Sequence, residues 1–139
     1  MKITLATLAS ATAQQVFEQS AKHLLKQNEK CISGSSCAYR GPAGACAAGA
    51  LLSDADAALV KAEGMNEGAG WGAVVHRLGA SSAHLELIED LQYVHDGSAP
   101  AHWRPALRVV AAQHRLDSSF MDLLPVPYEP VSIRETALA

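Results

Sequence analysis

The run Cys37-Ala38-Tyr39-Arg40-Gly41-Pro42-Ala43-Gly44-Ala45-Cys46-Ala47-Ala48-Gly49 constrains this chain most. Its centre, Gly-Pro-Ala-Gly, cannot continue a helix: proline lacks the amide donor and fixes φ, while glycine supplies conformations closed to other residues. The backbone must reverse there. Residues 38–40 and 45–48 are therefore predicted to pair as a short hairpin, with Cys37 and Cys46 close together on its facing arms.

The chain on either side reads as helix. In residues 12–27, Ala13, Val16, Phe17, Ala21, Leu24 and Leu25 recur at the three-and-four spacing of an amphipathic helix, with Gln15, Glu18, Gln19, Lys22 and Lys26 on the wet side. Ser10 or Thr12 is placed to cap it, and Asn28-Glu29-Lys30 to end it. Residues 31–36, with Ser33-Gly34-Ser35-Ser36, read as a flexible link to the hairpin. Ser53 is an N-cap for a short helix over 54–62, whose Asp54 and Asp56 suit a helix N-terminus. A third helix is predicted over 71–78, burying Trp71, Val74, Val75 and Leu78. A fourth starts at Ser81 or Ser82, carries Leu85, Ile88, Leu91, Gln92 and His95 on one side, and stops at Asp96-Gly97. Pro100 opens a further helix, which Pro105 either kinks or restarts, and residues 120–124 form a last turn.

The expected fold is mainly α: a single small domain of four to six helices with one short β-hairpin, covering residues 1–124 with the hairpin near 37–49. Alanine supplies much of the 49% apolar content and only 5% of residues are aromatic, which favours close helix packing over a β-sandwich. Residues 125–139 contain three prolines and no helical period. They are expected to form an extended tail whose Val126, Tyr128, Val131 and Ile133 pack on their own domain or on a second copy, the latter giving a homodimer.

A net charge of -3 provides no broad footprint for nucleic acid or an anionic membrane. Three cysteines form no disulfide framework and read as thiols of a reducing compartment, so cytoplasm is the expected location. The single lysine and Thr-interrupted apolar run at the start make a poor signal peptide, and no run reaches transmembrane length.

Cys-Ala-Tyr-Arg-Gly, a small turn, Cys-Ala-Ala-Gly-Ala-Leu-Leu, then Asp90-Leu91-Gln92-Tyr93-Val94-His95-Asp96 and Trp103-Arg104-Pro105 together resemble small proteins of bacteriophages and prophages. The shared pattern spans residues 5–116. The resemblance implies a phage-encoded accessory protein in the host cytoplasm, binding a host or phage macromolecule in a host-takeover or anti-defence role; it carries no catalytic assignment.

Tyr39, Arg40, Gln92, His95 and Trp103 are the expected binding residues, a protein is the expected partner, and no cofactor is expected; none of these residues is carried over from the resemblance. The alternative is a thiol enzyme. Cys46 would be the nucleophile if helix-terminal amides lowered its pKa, with His95 as base and Asp96 as orienter. Against this, adjacent side chains at a helix end point apart. Cys37, Cys46, His95 and His102 are zinc-ligand types, but their spacing suits no common knuckle, so no metal is expected. His95 is expected to bond free carbonyls at its helix C-terminus, Gln92 to satisfy hairpin backbone, and Arg40 to pair with Glu86, Glu89 or Asp90. Arg104, Arg108 and Arg115 make nucleic-acid binding possible in principle, without a reading motif to favour it.

Overall fold

The computed structural model describes residues 2–125, so the expectations for the tail from Val126 onward lie outside the described residues. Among the described residues five α-helices build the domain: α1 (Ala13–Gln27), α2 (Asp54–Ala62), α3 (Trp71–Arg77), α4 (Leu85–Gly97) and α5 (Trp103–Gln113). The mainly helical class is as expected. Thr12 caps α1 and Ser53 caps α2, each with a capping box that includes the side chain three residues on, Gln15 and Asp56. Asn28 ends α1 with φ of 53°, a left-handed turn that asparagine tolerates better than most residues.

Helix α1 buries Val16, Phe17, Ala21, Leu24 and Leu25 against α4 and α5. The Val, Leu and Phe side chains among them stabilise by about 1.5–3 kcal/mol each on full burial, so this face anchors the domain. Trp71 and Trp103 are the largest fully buried side chains. Pro105 falls within the first turn of α5, where no intrahelical amide is needed, and a separate 3₁₀ turn (Pro100–His102) precedes it; the restart holds rather than the kink. Helix α4 begins at Leu85, later than Ser81 or Ser82, because His84 takes a left-handed φ of 61° and its ring bonds the Ala11 carbonyl at 2.8 Å.

The reversal at Pro42-Ala43 is present, joining β3 (Arg40–Gly41) to β4 (Gly44–Ala45). It is shorter than expected on its second arm, since residues 47–48 turn at once into a 3₁₀ turn (Gly49–Leu51). The segment read as a flexible link is itself ordered: β1 (Ile32–Ser33) pairs antiparallel with β2 (Ser36–Cys37) across Gly34, whose φ of 65° supplies the tight bend. Ala38 then bridges to Glu67, and Asn66 holds Arg40 by both its backbone N–H and C=O at 3.0 Å. The two ribbons thus form one small knot of backbone set between α1 and α4.

Candidate functional site

One wall of that knot is gripped by a polar stripe on α1. Gln19, His23 and Gln27 recur every fourth residue and so share a helix face. Gln19 donates to the carbonyls of Ala50 and Ile3 at 2.9 and 2.8 Å, and the amide of Ile3 donates back to it at 2.7 Å. His23 and Gln27 both donate to the Ala45 carbonyl, at 3.0 and 2.9 Å, and Gln27 accepts the Ala45 amide at 3.0 Å. Fully buried Ser20 adds a bond to Ala47 O at 2.9 Å. Every one of these contacts is to main chain, which lets small side chains fill residues 44–50 while their buried backbone stays paired.

The opposite wall is the last turn of α4. Gln92 accepts the Ala48 amide at 3.0 Å and donates to Asp96 at 2.8 Å. His95, fully buried, accepts the Cys31 amide on Nε2 at 2.9 Å and meets the Asp96 carboxylate through Nδ1 at 2.8 Å. A backbone amide can only donate, so Nε2 is the bare nitrogen and Nδ1 carries the proton. The ring lies on Trp103 with centroids 5.6 Å apart and planes 27° apart, and the indole N–H of Trp103 is spent on Ser98 O at 3.0 Å. Lys30 closes the corner on the Asp96 carbonyl at 3.2 Å.

Cys37, His95 and Asp96 converge, with one ligand-type atom from each all within 4.8 Å of one another. Burial alone would raise the Asp96 carboxyl; hydrogen bonds from His95, Cys37 and Gln92 outweigh it and hold the group below the ordinary carboxylate range. The Cys37 thiol is raised, first by burial and then by that carboxylate. A metal on Nδ1 would push the imidazole proton to Nε2, where it would face the Cys31 N–H, donor against donor. The arrangement therefore suits a shared proton rather than an ion. Comparison with protein-family models, curated protein sequences and solved structures finds no match to this chain.

The structure brings His95 and Asp96 together although they are sequence neighbours, which corrects the expectation that such side chains point apart: the imidazole lies inward and the half-exposed carboxylate curls back over its edge. Cys46 is not hydrogen-bonded to His95 among the described residues. Its sulfur accepts the Gly49 amide at 3.2 Å, and burial pushes the thiol up to about 12 against the pull of the Gly49 and Ala48 amides. Turn amides do act on this sulfur as anticipated, but desolvation wins. The facing-arm pairing of Cys37 with Cys46 is also revised: Cys37 sits on β2 opposite Ile32, and Cys46 follows β4, its amide bonded to Tyr39 O at 3.3 Å.

Of the expected binding residues, Tyr39 is buried with its hydroxyl on Ala69 O at 2.7 Å, and Gln92, as expected, serves backbone. His95 reaches across to residue 31 instead of the carbonyls of its own helix. Arg40 pairs with Asp54 at 2.9 Å and with Leu52 O at 2.7 Å, not with Glu86, Glu89 or Asp90, because the chain leaving the hairpin returns past it at once to the start of α2. His102 lies in an exposed turn, away from the Cys37 cluster. Arg104 and Arg108 are spent on the last turn, binding Met121 O, Leu124 O and Asp122. Gln19, Ser20, His23, Gln27 and Asn66 were missed; the i, i+4, i+8 recurrence of amide and imidazole on α1 is the signal that would have exposed the first wall.

Acid should loosen this assembly in two steps. Burial lowers the pKa of His23 below 6.5, so the unfolded chain takes up a proton that the folded one resists, and stability falls as pH drops below that value. Asp96, held low when folded, adds a second loss as pH falls below its ordinary 3.8. Melting temperature followed against pH is expected to flatten in the upper window for His23→Gln, which keeps an amide donor for Ala45 O. An unchanged slope there would remove His23 from the account.

Proposed function

We propose that this chain acts by binding a macromolecular partner through the surface beside its second hairpin, and not by turnover, in the phage accessory role that the sequence resemblance implies. The observation that carries this is the state of the would-be catalytic groups. The only bare nitrogen of His95 is filled by the Cys31 amide, the Cys46 thiol is buried and strongly raised, and Asp96 is occupied by three side chains. A base must have a free lone pair within reach of a substrate proton, and a thiol nucleophile must ionise. Among the described residues no helix is long and apolar enough to cross a membrane. Host cytoplasm as the place of binding belongs to the proposal and rests on the phage resemblance.

The test is reconstitution. A partner co-purified from phage-infected cells and then expressed alone is expected to re-form a stoichiometric complex with the purified chain, and Cys46→Ser is expected to leave that complex intact beside a matched Cys31→Ser control. If Cys46→Ser folds normally yet abolishes the biological effect while the control does not, thiol chemistry takes first place.

A further inference from the structure

A groove of about 1070 Å³ runs between the N-terminal segment, the outer face of α1 and the second hairpin. It lies at the upper end of the usual range of small-molecule sites, about 300–1,000 Å³, and it is partly open to solvent, with room for a short segment of another chain. Its charged lining is Lys2, Lys22, Lys26 and Arg40 against Glu18 and Asp54. Both carboxylates are already neutralised, Glu18 by Lys22 at 3.3 Å and Asp54 by Arg40 at 2.9 Å. Lys2 and Lys26 have no ion-pair partner among the described residues. The groove is thus locally cationic on a chain whose net charge is -3.

We infer that this groove binds an extended acidic segment of a protein partner. Charge complementarity selects acid, since fixed positive charge on a low-dielectric wall focuses its field into the cleft. A protein is favoured over a nucleic acid because no Phe, Tyr or Trp among the described residues lines the groove, and its one aromatic ring, that of His23, is held edge-on by the Ala45 carbonyl, whereas single strands are held by stacking on free rings. The polar stripe of α1 sets the site: Gln19 and His23 fix the hairpin wall by main-chain bonds, which leaves Lys22 and Lys26, on the same helix, at the open rim. This deepens the binding role proposed above and rests on it.

The probe is a fluorescein-labelled Glu-Ala repeat peptide, with Gln-Ala and Lys-Ala repeats as comparators, read by anisotropy. The Glu-Ala peptide alone is expected to bind, with affinity falling as salt rises. Lys2→Glu/Lys26→Glu should weaken it at least about tenfold, while Lys61→Glu/Arg115→Glu, equal in charge change but outside the groove, should not. Equal binding of the Gln-Ala peptide, or indifference to the groove reversal, would overturn the inference. So would a gain of about tenfold on truncation after Pro125, which would show that residues 126–139 are the groove's own occupant. In the reconstitution, a partner still bound by the Lys2→Glu/Lys26→Glu protein sinks the groove but keeps the binding role; peptide binding without any reconstituted partner does the reverse.

Discussion

Gly49→Ala is expected to cost about 3 kcal/mol or more, the largest loss of any glycine-to-alanine change in this chain. A β-carbon at Gly49 would stand 2.2 Å from the Tyr39 carbonyl oxygen and 3.2 Å from the Ala45 β-carbon. The first obstacle is backbone, and it cannot swing aside without breaking the Cys46 N–H bond to that same carbonyl. Gly64→Ala is the matched comparison: its φ of 72° is unfavourable for alanine, but nothing lies within 4 Å of the added carbon. It should cost only about 1–2 kcal/mol. Urea unfolding of the two variants separates crowding from conformational strain. Equal losses would mean that the hairpin can move away from the Gly49 turn more freely than its hydrogen bonds indicate.

His95→Ala should follow closely, at about 3–4 kcal/mol, which for a domain of this size lowers the melting temperature by about 10 °C. The variant removes a ring stacked on Trp103 and leaves the Cys31 amide unpaired beside the cavity. Asp96→Asn, which is half in water and keeps an acceptor for Nδ1–H, is expected to cost only about 1 kcal/mol. A His95→Ala loss no greater than that of Asp96→Asn would show that the ribbons hold without the imidazole. The difference between the two variants measures how much of the clasp is buried amide and how much is exposed carboxylate.

The helices were legible in sequence from their apolar period, and α1 and α2 also from their ends, whereas the start of α4, which has no side-chain cap, was not. Ser53 with Asp56, and Thr12 with Gln15, state their own caps within four residues. The reversal at Pro42 was legible for the same reason, since glycine and proline act through their own backbone. What could not be read was the partner of each polar group. Cys31 and His95 are 64 residues apart, and Leu5 meets Asp56 from 51 residues away, so nothing in either neighbourhood names the other. Arg40 shows the limit well: its need for a carboxylate was plain, and three wrong candidates were as close to its chemistry as Asp54. Gln19 was read as wet because glutamine on an amphipathic helix usually is, but here the covering surface is main chain, which a hydrophobic pattern does not record.

The ribbons themselves have only two residue pairs each. A lone two-stranded hairpin is marginal in water even when longer, so neither ribbon has a reason to form before α1 and α4 have docked and presented their polar stripes. The hairpins are then late products of folding, with substitutions in them speeding unfolding more than they slow folding. Native-state hydrogen exchange should carry the same imprint: the amides of Cys31, Ala45 and Ala48, each paired to a helix side chain, would be protected yet exchange ahead of the amides inside α1 and α4, through an opening that leaves those helices docked.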